Sequence, residues 1–324
     1  MNKTFILGAA FFFAQKNYAA IDKESLKIYQ PKNNVVVAVI DTGADTNHTE
    51  LKKFIWTNEG ETGLDQFGQN KETNQFDDDG NGFADDVHGW NFITNTNDVS
   101  DEIGHGTHIA GIIKKEFENH MTVISHSTST PSVRLMILKY YDPKAKNETN
   151  LMNSTRAIEY ATKMQAHVIN YSGGGADPFA PELLAIQKSA QKNILFVAAA
   201  GNNRTNTDVE KYYPANYGLG NIISVAATND QGEWMPFSNY GSKIDIAAPG
   251  DAIYSTLPHK NYGFMSGTSQ STAFVSGLAA SLLAQKTVSP KKLISELKGL
   301  GKFSQALKGK TKSQLALIES SRND

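Results

Sequence analysis

Residues 35–43 read Val-Val-Val-Ala-Val-Ile-Asp-Thr-Gly. An apolar run with no polar alternation marks a strand covered on both faces, as in a parallel sheet flanked by helices. The run stops at Asp41, and Thr42-Gly43 carries the chain out of the strand. A carboxylate at the carboxyl end of a central strand stands where open α/β sheets hold their chemistry. Taken alone, Asp41 is equally an ordinary strand-to-turn aspartate.

Working outward, further strands are expected at 133–139, 167–171, 194–200, 221–227, 245–248 and 253–256. Helices are expected at 150–165, capped by Asn150, at 181–192 with Pro181 near its start, and at 289–298 with Pro290 in the first turn. This alternation predicts an α/β fold with a doubly wound, mostly parallel β-sheet flanked by helices. At 324 residues and 40% hydrophobic content the chain can fill one large core or two smaller ones. Residues 57–100, rich in Asn, Asp, Thr and Gly, read as an insertion, and 115–131 as a connection. Residues 301–324 read as a Lys- and Ser-rich tail, with a short helix at 315–318.

A formal charge of −2 and no long basic run argue against nucleic acid as a partner. The absence of cysteine excludes disulfides, thiolate metal sites and a cysteine nucleophile. Near the N-terminus, Lys3 precedes an apolar run from Phe5 to Ala14, with Ala19 and Ala20 placed for cleavage. Residues 1–20 therefore read as a signal peptide. The expected location is extracellular or periplasmic, or cytoplasmic if the segment stays as a helix or strand of the fold. No later segment is long and apolar enough to span a bilayer, so no stable membrane insertion is expected after signal removal.

Three other stretches carry reactive side chains. Residues 263–285 begin Gly-Phe-Met-Ser-Gly-Thr-Ser, and from about Thr272 the apolar residues Val275, Leu278, Ala279, Leu282 and Leu283 fall at helical spacing. Ser269 then sits at a helix N-terminus, beside free N–H groups and the positive end of the dipole. By itself it could be a cap. Residues 104–113, Gly-His-Gly-Thr-His-Ile-Ala-Gly-Ile-Ile, run from a turn into a helix. They lack the His-Glu-x-x-His zinc pattern, so His105 and His108 alone read as core histidines. Residues 77–86 hold five carboxylates, and Asp77, Asp79 and Asn81 alternate before Gly82. That is the first half of a calcium loop, and with Asp85 these residues are the candidate ligands. The second half fails, because His88 stands where the bidentate Glu would be.

Asp41, His105 and Ser269 occur in one of the three known chain orders of the Asp-His-Ser triad. Their settings are Val-Ile-Asp-Thr-Gly, His-Gly-Thr-His-Ile-Ala-Gly and Ser-Gly-Thr-Ser-x-Ser-Thr-x-x-Val-Ser-Gly. Over roughly residues 34–286 this resembles the subtilisin-like serine peptidases. The resemblance implies a three-layer α/β/α peptidase domain over residues 21–300 and a serine endopeptidase acting on protein or peptide substrates. It implies Ser269 as nucleophile, His105 as base and Asp41 as its orienting partner. It gives Asn202 and the Ser269 N–H as oxyanion donors, and Ser172, Gly173, Gly174, Ala199, Ala200 and Gly201 as the lining of the substrate cleft. No cofactor is implied for catalysis; calcium would be structural. Loss of activity is expected as His105 protonates, around ~6.5.

The chain departs from the family after Ser269, with Gln270-Ser271-Thr272-Ala273-Phe274 where Met-Ala-Thr-Pro-His is usual. Only Thr272 is kept, and packing should feel this more than chemistry. Secreted members carry a domain-sized inhibitory propeptide, whereas a short segment separates Ala20 from Val35. Unaided folding, metal stabilisation and control by a separate inhibitor or propeptide all stay open. Two alternatives to the endopeptidase stand beside it: a weak or inactive peptide-binding module, and a peptide ligase or cyclase using the same acyl-enzyme.

Overall fold

Strand β1 (Asn34–Asp41) pairs in parallel with β3 (Ser132–Lys139) on one side and β4 (Val168–Tyr171) on the other. Its side chains divide between two cores, as a doubly covered strand requires. Val35, Val37 and Val39 face one core, while Ala38 and Ile40 face the other. The structure, a computed structural model, describes residues 34–124 and 132–318. The expected signal peptide lies outside the described residues.

Beyond β4 the sheet continues through β5 (Leu195–Ala199), β6 (Ile222–Thr228) and β7 (Ile246–Pro249), all parallel. On the other side β2 (Gly89–Asn91) pairs in parallel with β3. Helices α1 (His105–Ile124) and α4 (Thr268–Gln285) lie in the first core, and α2 (Asn147–Lys163) and α3 (Ala180–Gln191) in the second. The result is the expected α/β sheet with helices on both faces. Because β1 is flanked by β3 and β4, the chain reverses its winding direction there, and a crevice opens at the carboxyl ends of these strands. No helix among the described residues is long and apolar enough to cross a membrane.

Helix α4 is the axis of the molecule. Every residue from Thr268 to Ala284 is buried, and the helix begins about a turn earlier than its apolar spacing indicates. Its first turn is Thr-Ser-Gln-Ser, which carries no apolar period to read. Gly277 lets α1 approach: a Cβ there would stand 2.6 Å from the Ile113 carbonyl oxygen. The expected connection over 115–131 is helical as far as Ile124. Phe117 and Met121 continue the buried stripe from Ile113, and Lys114 pairs with Glu50 and Glu118 on the outer face.

The region expected as an insertion supplies β2. A hairpin of β8 (Ile253–Leu257) and β9 (Asn261–Met265), the latter unforeseen, precedes α4. After α5 (Pro290–Leu300), the expected tail folds onto the sheet edge as β10 (Lys302–Phe303) and β11 (Leu315–Ala316). The helix expected at 315–318 is thus a strand. Ala316 registers against Ala247 of β7, and the adjoining Leu317 amide bonds to the Ala247 carbonyl. Edge pairing overrides a local preference four residues long.

Candidate active site

Asp41, the last residue of β1, is 4% exposed. Its Oδ1 accepts from the Thr42 amide at 2.8 Å and from His105 Nδ1 at 2.7 Å. With Nδ1–H so engaged, His105 Nε2 is left as the acceptor. His105 opens α1, and the helix can start this close to β1 because the next residue is Gly106. A Cβ at Gly106 would lie 2.0 Å from the Gly43 carbonyl oxygen and 3.1 Å from the Asp41 Cβ.

A buried carboxylate that sequence reasoning missed locks this junction. Asp101 Oδ1 accepts from the Thr42 hydroxyl and from the amides of Ile103 and Gly104. Its Oδ2 accepts from the amide and hydroxyl of Thr107. The Thr42 hydroxyl in turn accepts from the Gly106 amide at 2.9 Å. Asp101 therefore caps α1 and ties it to the turn after β1. An aspartate shortly before a Gly-His helix start is a readable cap signal.

Burial works against the charged form of His105. The Asp41 charge and hydrogen bond, with Asp101 behind them, outweigh it and hold the imidazole above its ordinary range. The expected limb near ~6.5 is therefore corrected upward. His108, one turn on, is fully buried and pushed below its ordinary range by that burial. Its Nε2 donates to the carbonyls of Ile253 and Gly263, so it holds the β8–β9 hairpin to α1.

Ser269 lies in the first turn of α4, 7% exposed. Its hydroxyl donates to the Ser172 carbonyl at 3.0 Å, and the Ser172 hydroxyl donates back to the Ser269 carbonyl at 3.2 Å. Among the described residues no hydrogen bond joins Ser269 to His105; the hydroxyl is engaged by the Ser172 carbonyl instead. Behind Ser172 a polar chain runs into the core. Asn170 Nδ2 donates to the Ser172 hydroxyl, and Ser276 of α4 donates to Asn170 Oδ1.

Asn202 follows β5, and its Oδ1 accepts from the Thr268 amide at 2.9 Å. That bond turns Nδ2 outward. A Cβ placed on Gly267 would be 2.9 Å from Gln270 Oε1, 3.5 Å from Asn202 Nδ2 and 3.7 Å from the Ser269 nitrogen, so two N–H donors and the Gln270 amide oxygen border one spot. The Ser269 amide, in the first turn, has no intrahelical acceptor. Gly201 is anchored by its amide to the Thr268 hydroxyl. Ala199 ends β5, and Ala199, Ala200 and Gly201 are all buried. Ser172, Gly173 and Gly174 leave β4 beside them and line a cavity of about 360 Å³ with His105, Tyr140 and Tyr212.

The residues expected to hold calcium do not converge as a set. Asp77 accepts from the amides of Asn81 and Gly82, and Asp85 from the amide of Gln75. The loop's own N–H groups thus occupy them, and the Asn81 amide nitrogen is itself a donor to Asp79 and Asp86. The carboxylates that meet are Glu61, Asp79 and Asp86, with one oxygen of each inside a 4.8 Å span. Only Asp79 belongs to both sets. Burial pushes Glu61 and Asp86 above the usual carboxylate range.

A family model described as the subtilase family matches residues 32–299. The chain is 33% identical over 249 residues to the thermophilic serine proteinase of Bacillus sp. strain AK1, covering 77% of this chain and 52% of that protein. It is 31% identical to thermitase of Thermoactinomyces vulgaris over 77% of this chain and 75% of the relative. With the major intracellular serine protease of Bacillus subtilis the identity is 34%, over 81% and 72% of the two chains. The chain thus spans about half of the first of these relatives and most of the other two. In fold it matches a cold adapted subtilisin-like serine proteinase at a TM-score of 0.63 and 24% identity, covering 89% of both chains. A lanthipeptide protease matches at a TM-score of 0.64 and 22% identity, over 88% and 85%.

Proposed function

This chain belongs to the subtilase family, and from that premise we propose that it is a serine endopeptidase working through an acyl-enzyme on Ser269. The observation that carries the reading is the 2.7 Å bond from His105 Nδ1 to Asp41 at the carboxyl end of β1, with Ser269 bonded to Ser172 just beyond the carboxyl end of the neighbouring β4. It fixes the tautomer in which Nε2 can take a proton.

In this mechanism the Ser269 hydroxyl leaves Ser172, passes its proton to His105 Nε2 and attacks the peptide carbonyl. Asp41 holds and stabilises the imidazolium. The carbonyl oxygen, now negative, lies against the Ser269 N–H and Asn202 Nδ2. His105 then protonates the departing amine, and water repeats the sequence on the acyl-enzyme. Ser172 to Gly174 would pair with an extended substrate as an added strand.

A fluorophosphonate should label wild type at Ser269, and Ser269→Ala should lose both the label and casein hydrolysis. Undiminished hydrolysis by Ser269→Ala sinks the assignment. The bond from Ser269 to Ser172 favours a second reading, a peptide-binding module whose nucleophile is held off. Failure of folded wild type to label would support that one.

We further propose that a hard cation such as calcium sits at Glu61, Asp79 and Asp86. The donor set is all oxygen, as calcium prefers. Asn58 and Asn81 donate to both Asp79 and Asp86, and Tyr160 donates to Asp86, holding the carboxylates in place. At a hundredfold excess over Kd the cation would stabilise by about 2.7 kcal/mol. A chelator should lower the melting temperature and calcium restore it; a melt indifferent to both refutes the site.

A further inference from the structure

The chain segments leaving β4 and β5 run side by side past Ser269, with Gly174 on one wall and Gly201 on the other. If the carbonyl under attack sits at Ser269 and Asn202, the side chain next to it must project between these two glycines. That placement rests on the function proposed above. The space is occupied. A Cβ on Gly174 would lie 2.5 Å from Tyr212 Cε1, and one on Gly201 would lie 2.9 Å from Tyr212 Cε2 and Cζ. The two edges of one ring therefore press on the α-carbons of opposite walls.

The backbone that carries the ring is pinned. The Gly175 amide donates to the Tyr213 carbonyl at 2.9 Å, and the Tyr213 amide donates back to the Gly175 carbonyl at 2.7 Å. Asn216 accepts from the Tyr212 amide, and its own amide donates to the Tyr212 carbonyl. The α-carbon that carries the ring is thereby fixed beside both walls. Tyr212 also walls the open cavity of about 360 Å³ that touches Ile103, His105, Tyr141 and the Ser172–Gly174 wall, but not Gly201.

We propose that Tyr212 is a specificity-determining residue, closing the pocket beside Ser269 so that the substrate residue supplying the cleaved carbonyl is glycine or alanine. The probes are two peptidyl diphenyl phosphonates that differ only in the residue bearing phosphorus, an alanine or a phenylalanine analogue. Adduct formation at Ser269 is followed by intact mass, with a small alkyl fluorophosphonate as control. Wild type should react at least about tenfold faster with the alanine reagent. Tyr212→Ala should accelerate the phenylalanine reagent at least about tenfold, while Tyr212→Phe, which keeps the ring, should preserve the alanine preference.

Equal rates for wild type overturn the inference, as does an unchanged ratio in Tyr212→Ala. The wild-type ratio decides the matter even where Tyr212→Ala fails to fold. Labelling by the small fluorophosphonate together with either result overturns this inference alone. No labelling by any reagent overturns the nucleophile assignment and this inference with it.

Discussion

His105 is pulled two ways. Burial favours the neutral ring, while Asp41 and Asp101 favour the cation, and the acidic partners prevail. Catalysis needs the neutral ring. A raised pKa keeps imidazolium present to higher pH, so the acidic limb of kcat/KM should lie above the ordinary ~6.5. Asp41→Asn removes the charge that raises it. The limb should then move to lower pH while kcat falls by about 10⁴-fold, because the tautomer is no longer enforced. A pH–rate profile of both forms checks this; a limb that stays in place contradicts it. The same pair favours folding only while His105 is charged. Its contribution is full below the unfolded-state pKa and is lost as pH rises through the folded one.

At the scale of elements, the site depends on how α4 is seated against β4. Ser276 on α4, Asn170 on β4 and Ser172 beyond it form one hydrogen-bonded chain ending at the Ser269 carbonyl. Ser276→Ala leaves the buried Asn170 Oδ1 without that donor, at a cost of about 1–3 kcal/mol. Denaturant unfolding of Ser276→Ala, Asn170→Ala and the double variant should show less than additive losses. Strict additivity would mean that the chain is not a unit. Asp41, His105 and Ser269 were legible beforehand because each stands at an element boundary inside a motif. Asn170 was not, since its partner Ser276 arrives from an element far away in sequence, whereas the capping part of Asp101's role was readable and only its bond to Thr42 was not. Tyr212 lies in a stretch with no period, and only the fold brings it against Gly174 and Gly201. The two-residue strand β11 was misread because pairing with β7, rather than local sequence, shapes it.

For the whole molecule, the long apolar strands and the helices between them were enough to give the class and most of the strand positions. The acidic loop shows the limit of spacing arguments. Its alternation was visible, but which carboxylates meet depends on Glu61, outside the motif. A second buried carboxyl sets how stability varies with pH. Glu182 is 1% exposed among Tyr171, Tyr212 and Tyr217, and burial pushes it up to about 7. The folded state holds that proton more tightly than the unfolded chain, whose pKa is near 4.5. Stability should therefore fall as pH rises from about 4.5 through 7, by on the order of 3 kcal/mol, and then level. Glu182→Gln should flatten that slope in urea titrations at pH 5 and pH 8; an unaltered slope would place the proton elsewhere. The central claim, that the crevice at the carboxyl ends of β1 and β4 makes Ser269 a nucleophile, is tested most directly by trapping. A slow ester substrate is mixed with the protein, quenched in acid during turnover, digested and mapped by mass. The account predicts the acyl group on the peptide holding Ser269, and neither adduct nor turnover in Ser269→Ala. Turnover that persists in Ser269→Ala, or an acyl group on another residue, would contradict it.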